Sequence, residues 1–114
     1  MTYKYGEFSD NQIEDAKKFM QKKIFYLLIC VDPKSSDEHK NTDIYKVFDD
    51  MLLEFGGLNS LLFCPPTLIR VMSLLEAALI EYSNNEYDEE SFKTSKLRKL
   101  ILDAGSEVMK IKEV

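Results

Sequence analysis

The chain has 114 residues, of which 45% are hydrophobic and 31% are charged, and its formal net charge is −5. This balance is typical of one folded domain, and we expect residues 1–114 to form a single domain. The composition excludes a wholly disordered chain, a collagen-like repeat and a strongly basic nucleic-acid-binding protein.

Targeting and membrane signals are missing from the sequence. The apolar run 24–31 follows Lys22 and Lys23, but Asp32 and Pro33 end it where a signal peptide would need a cleavage site. A membrane-spanning helix needs about 20 apolar residues, and polar residues and prolines interrupt the longest candidate, 58–80. We therefore predict a soluble, cytoplasmic protein without membrane contact.

The two cysteines, Cys30 and Cys64, both lie in apolar runs. Free cysteine is buried like a small hydrophobic residue, so we expect two core thiols in a reducing compartment, although a disulfide or a reactive thiol stays possible. The single histidine, His39, lies among charged and polar residues and is expected in a solvated loop.

The first elements combine a short N-terminal segment with a long helix. Residues 1–8 alternate loosely and predict a short strand or an ordered arm. Ser9 is a candidate N-cap with Gln12 as its capping-box partner, and a helix then extends to Val31. A buried strand over 24–31 is the alternative. Apolar residues at spacings of three and four predict the buried stripe of this helix: Ile13, Ala16, Met20, Ile24, Leu27, Leu28 and Val31.

A second helix is predicted over 43–55, after a polar loop over 33–42. Gly56 and Gly57 are expected to end it, because glycine adopts the left-handed cap conformation at little cost. Residues 58–64 are then expected to form an apolar connector. The buried stripe of this helix comprises Ile44, Val47, Phe48, Met51, Leu52 and Phe55.

A third and a last helix complete the prediction. The third begins at Pro66, a residue tolerated in a first turn, and ends near Tyr82. It is apolar enough to be central to the fold or covered by a partner. After an acidic start at 88–90, the last helix carries Leu97, Leu100, Ile101, Ala104, Val108 and Ile111 on one stripe, and Gly105 marks a close helix contact or a local break. The expected fold is therefore all-α, a small bundle of about four helices with a possible N-terminal strand or arm.

No constellation of residues indicates an enzyme. We expect no catalytic residue, no cofactor and no metal site, because one histidine and two cysteines cannot form the usual nucleophilic or zinc centres. A carboxylate-bound Mg²⁺ enzyme is the alternative, using the pairs Glu86 with Glu89 and Glu7 with Asp10. Helix capping and solubility explain these carboxylates better.

Nucleic-acid binding is a second alternative. Two lysine-rich clusters could face phosphates, and a helix-turn-helix with its turn at Ala104–Gly105 would place the last helix on DNA. Because the net charge is negative, a solvated surface is the preferred interpretation and nucleic acid an unlikely partner. The clusters are Lys17, Lys18, Lys22 and Lys23, and Lys93, Lys96, Arg98 and Lys99.

Apolar residues left over from the core stripes favour protein interaction. A monomer can bury some of them, but several together would form a patch larger than monomers normally expose. We therefore predict a non-enzymatic interaction or regulatory module that binds another protein or forms a homodimer. Its face would centre on the third helix, with an acidic rim at Asp43, Asp49, Asp50 and Glu54. The expected partner-binding residues are Phe25, Ile29, Leu53, Ile69, Leu74 and Ile80, and Leu102 is also left over.

Overall fold

The computed structural model describes residues 2–3, 6–7, 10–35, 42–61 and 66–111, and these residues are predominantly helical. Two short strands pair antiparallel at the N-terminus, with Thr2 opposite Glu7 and Tyr3 opposite Gly6. Four long helices and one short helix follow. The elements are β1 (Thr2–Tyr3), β2 (Gly6–Glu7), α1 (Asp10–Val31), a 3-10 turn (Pro33–Ser35), α2 (Ile44–Leu61), α3 (Pro66–Asn84), α4 (Glu89–Lys93) and α5 (Lys96–Val108).

The four long helices form an up-down-up-down bundle in which each packs against two others, in the ring order α1, α2, α3, α5. Cross-helix contacts show that α3 is antiparallel to α5. Arg70 near the start of α3 pairs with Glu107 near the end of α5, and Glu81 near the end of α3 pairs with Lys96 at the start of α5. The all-α fold class and the bundle of about four helices are therefore confirmed.

The core is entirely apolar in the described residues, where no polar or charged residue is buried. Helix α3 supplies four residues with no exposed surface, namely Leu68, Val71, Leu75 and Ala78, and packs against both α2 and α5. The expectation of a central third helix therefore agrees with its packing. Fully buried residues of this kind each contribute about 1.5–3 kcal/mol through removal of apolar surface from water.

Residues 24–31 are helical, which decides between the two predicted conformations. Ile24, Leu27 and Val31 are buried while Phe25 and Tyr26 are exposed, a pattern with the period of a helix. The predicted N-cap Ser9 and the loop residues 36–41 lie outside the described residues.

The predicted end of the second helix is wrong. Helix α2 continues through Gly56 and Gly57 to Leu61, because the packing against α3 extends beyond the two glycines. Leu58 is packed against the core, and a Cβ atom added at Gly56 would lie 3.7 Å from Cε of Met72 on α3. Residues 58–61 are therefore helix and not a connector.

The C-terminal helical region has two parts, where the sequence predicts one helix with an acidic start. Asp88 caps α4, since its side chain accepts from the Ser91 backbone N–H at 2.7 Å and the Ser91 hydroxyl accepts from the Asp88 N–H. Ser95 then caps α5 by accepting from the Arg98 backbone N–H at 3.1 Å. Two successive polar caps interrupt the helix.

The helix-turn-helix interpretation is also wrong, because Ala104 and Gly105 lie inside continuous helix α5. Gly105 faces α1, with room for a small side chain. A Cβ atom at this position would lie 3.7 Å from Cγ2 of Ile24 on α1, which is an ordinary van der Waals distance.

Replacement of Gly57 by alanine tests the corrected end of α2. A Cβ atom at Gly57 would meet nothing within 4 Å, and alanine is favoured over glycine in a helix interior by about 1 kcal/mol. We expect Gly57→Ala to raise the free energy of unfolding by about 0.5–1 kcal/mol, measured by urea denaturation.

Gly57→Ala also distinguishes a helix that ends at Gly57 from one that continues to Leu61. If Gly57 were a left-handed C-cap, alanine would destabilise the protein instead. Gly56→Ala is the companion variant, and it should also be stabilising because its new Cβ atom makes only an ordinary contact with Met72.

Candidate interaction surface

The structure distributes the six predicted partner-binding residues over several sides of the bundle. Ile69 and Ile80 are exposed on α3 but lie about 16 Å apart along the helix, at 1.5 Å per residue. Leu53 is exposed on α2, next to the acidic residues Asp49, Asp50 and Glu54. Leu74 packs against the core, and Ile29 is half-buried on α1.

Leu74 lines a groove between α3 and α5 that ion pairs border. Arg70 Nε lies 3.2 Å from Glu107 Oε2, and Lys110 Nζ lies 2.8 Å from Glu107 Oε1. The hydrogen bond from Lys110, followed by that from Arg70, lowers the pKa of the Glu107 carboxyl. This edge of α3 is therefore occupied by charge interactions within the chain.

The sixth residue, Phe25, lies in an apolar groove between α1 and α5. The groove has a volume of about 380 Å³. Its most exposed apolar side chains are Phe25 at 62%, Met109 at 58% and Leu102 at 40% relative exposure. Gly105 belongs to the groove wall, where its missing side chain leaves space. The lining residues are Gln21, Ile24, Phe25, Leu28, Ile101, Leu102, Gly105, Ser106 and Met109.

Helical spacing did not identify Met109 as a surface residue, and it did not show that Phe25 and Leu102 lie in the same groove. The available signal was the spacing of Arg98, Leu102 and Met109, which places them on one side of the last helix. This spacing indicates a shared groove only once α5 is known to lie beside α1.

Cations lie one or two helical turns from the groove-lining residues along α1 and α5, although none of the described residues that line the groove itself is a cation. On α1, Lys18, Lys22, Phe25 and Ile29 follow one another at helical spacing, and on α5 the corresponding residues are Arg98, Leu102, Ser106 and Met109. We call these eight residues the basic-apolar face. None of the eight is acidic, although the chain carries more acidic than basic residues.

The two lysine-rich clusters are partly neutralised within the chain. Four of their cations lie within 4.0 Å of a carboxylate. Lys18, Lys22, Arg98 and Lys99 have no such pair among the residues that the structure describes, and three of these four belong to the basic-apolar face. The pairs are Lys17 with Glu14, Lys23 with Glu54, Lys93 with Glu90, and Lys96 with Glu81.

Among the residues that the structure describes, the reactive and metal-binding side chains do not converge on a centre. Cys30 is a buried free thiol, as predicted, and its hydrogen bond with Tyr26 raises the pKa of the Tyr26 hydroxyl. Cys64, His39 and the side chains of Glu7 and Asp10 lie outside the described residues. Within the described ranges no three His, Cys, Asp or Glu side chains are placed to hold a metal ion.

Comparisons with known proteins add no assignment, since no protein-family model, curated protein or solved structure matches the chain. Among the described residues, no helix has both the length and the hydropathy needed to cross a membrane. The chemistry of the basic-apolar face is therefore the basis of the functional argument.

The ion pairs beside Leu74 generate a prediction about pH. The depressed pKa of Glu107 means that its interactions stabilise the fold above the ordinary carboxyl pKa and are lost as the pH falls through the folded-state pKa. We expect Lys110→Gln to raise the Glu107 pKa more than Arg70→Gln does, measured by a carboxyl-carbon NMR titration.

Lys99→Gln is the matched control for this titration, because Lys99 is on the same helix and pairs with no carboxylate in the described part of the chain. It should leave the Glu107 pKa unchanged. An unchanged Glu107 pKa in Lys110→Gln would contradict the ion-pair assignment.

Proposed function

We propose that this chain is a cytoplasmic, non-enzymatic protein-interaction module whose basic-apolar face binds an acidic amphipathic helix of a partner protein. The observation that carries the proposal is the grouping of exposed Phe25, Leu102 and Met109 in one groove. Large exposed apolar groups that lie together indicate an interaction site, whereas single exposed residues need no explanation.

The shape of the groove suits a helical occupant. Two antiparallel helices, one carrying Phe25 and the other carrying Leu102 and Met109 two turns apart, form a trough, into which a third helix can insert residues from its own apolar stripe. Phe25 supplies a rigid aromatic wall, and Met109 supplies a flexible side chain that adapts to its partner. Ile24 and Gly105 bring α1 and α5 close together beneath this trough.

The charge of the face favours an acidic occupant. Lys18 and Lys22 border Phe25 on α1, and Arg98 precedes Leu102 by one turn on α5. Cations at the edge of an apolar groove attract acidic partners, repel basic ones and raise the association rate more than the affinity. The free thiol of Cys30 supports a reducing, cytoplasmic location.

Phe25→Glu and Ile80→Glu form a matched pair for the test, because Phe25 is 62% and Ile80 is 61% exposed. The probe is a synthetic helical peptide with leucines on one stripe and glutamates elsewhere. We expect it to bind the wild-type protein, with an affinity that falls as salt is added. Loss of an aromatic anchor costs about 2 kcal/mol, so Phe25→Glu should weaken binding at least about tenfold while Ile80→Glu leaves it unchanged.

A second peptide with lysines in place of the glutamates controls for charge. The proposal requires weak or absent binding of this peptide, and NMR shift changes from the acidic peptide at Leu102 and Met109. Equal binding of both peptides, or none, would contradict it. Light scattering tests whether a second copy of the chain occupies the groove. A dimer that Phe25→Glu dissociates would show that it does, and this result would also overturn the proposal.

A further inference from the structure

A second cavity lies at the end of the bundle, where the start of α2 meets the end of α3. It has a volume of about 550 Å³, within the usual range for small-molecule sites. Three tyrosines line it, Tyr45 from α2, Tyr82 from α3 and Tyr87 from the segment before α4. None of them lines the α1–α5 groove, so this cavity is independent of the interaction surface proposed above.

Packing holds the tyrosine rings in fixed orientations. The rings of Tyr45 and Tyr82 meet edge to face with centroids 5.3 Å apart, and Phe48 lies 6.1 Å from Tyr82. Tyr87 packs edge to face on Phe92 at 6.3 Å. Because Phe48 and Phe92 are buried core residues, the core supports the aromatic walls of the cavity.

The hydrogen-bond donors beside the rings already have partners. The Ser83 hydroxyl donates to the Leu79 carbonyl at 2.9 Å. The Asn85 amide donates to the backbone and carboxylate oxygens of Glu81, at 3.1 and 3.2 Å. Glu86 also lines the cavity, and its carboxylate can only accept. The lining thus combines the Glu86 carboxylate with three tyrosine rings, a combination that suits a positively charged ligand.

Three carboxylates lie near the same rings, those of Asp43, Glu81 and Glu86. Burial raises the pKa of Tyr82, and repulsion from Tyr45 when that residue is ionised and from the Asp43 carboxylate raises it further. Burial also raises the pKa of Tyr87, together with the charge of Glu81 and a hydrogen bond to it. Lys96 neutralises part of the Glu81 charge at 3.5 Å. Glu86 has no ion-pair partner in the part of the chain that the structure describes.

We propose that this cavity binds an organic cation of the quaternary or methylated ammonium class, held against the faces of Tyr45, Tyr82 and Tyr87 with Glu86 as the opposing charge. Ammonium groups are attracted to the electron-rich faces of aromatic rings. A methylated ammonium has few or no N–H donors and is weakly hydrated. Contacts with aromatic rings can therefore stabilise it, whereas a primary amine is stabilised mainly by hydrogen bonds.

The experiment compares choline with 3,3-dimethylbutan-1-ol, which has the same shape without the charge. Both are titrated into the full chain while the tyrosine ring signals are followed by NMR. We expect choline to shift the signals of Tyr45, Tyr82 and Tyr87, and the neutral alcohol to leave them unchanged. Equal binding of the two compounds, or no binding of choline, would overturn the proposal.

Two variants test whether choline binds in this cavity. Tyr45 is about half exposed, so Tyr45→Leu should fold normally, and loss of one ring face should weaken choline binding about threefold to thirtyfold. Glu86→Gln should weaken it too, whereas Glu89→Gln should not, because Glu89 is exposed outside the cavity. Choline binding that survives both Tyr45→Leu and Glu86→Gln would show that it binds elsewhere.

Discussion

The packing of α3 between α2 and α5 is the constraint on which the rest of the bundle depends. Its buried residues, among them Leu68, Val71 and Leu75, have no exposed surface, so both neighbouring helices must stay in contact with it. Since the described core has no buried polar residue, the arrangement of the helices is determined by the complementary shapes of their apolar side chains. At Gly56 and Gly105 an added Cβ atom would lie at an ordinary van der Waals distance from Met72 and Ile24, so this packing does not require glycine at either position.

Helical periodicity predicted the parts of the fold that depend on local sequence. The apolar stripes identified α1, α2 and α3 and most of their buried residues, because a side chain's position around a helix follows from its spacing. The errors fell where long-range packing overrides local preference. Gly57 has the residue type of a helix stop, yet α2 continues past it to Leu61 and Leu58 packs against the core. At Thr94–Ser95 the helix is interrupted although the sequence pattern looks continuous, because Ser95 is the N-cap of a new helix, α5.

The candidate sites were less predictable, because each combines residues that are distant in the chain. Spacing shows that Phe25 is left over from the core stripe of α1, but only the helix order shows that Leu102 and Met109 lie beside it. The cavity takes Tyr45, Tyr82 and Tyr87 from three separate segments. No motif of adjacent residues marks either site. The expectation of a face centred on α3 came from overall hydropathy, and hydropathy alone does not distinguish core from surface.

Net charge alone does not identify a partner, since what a partner meets is the local distribution of charge. The chain carries −5 overall, which taken alone favours basic partners. Yet Lys18 and Lys22 precede Phe25 on α1 and Arg98 precedes Leu102 on α5, while Asp49 and Asp50 lie on α2 and Glu86 follows the end of α3. Charges separated by more than a Debye length are largely screened at physiological salt. The proposed acidic helix and the proposed organic cation would therefore bind at separate places, because the α1–α5 groove and the cavity at the end of the bundle share no lining residue.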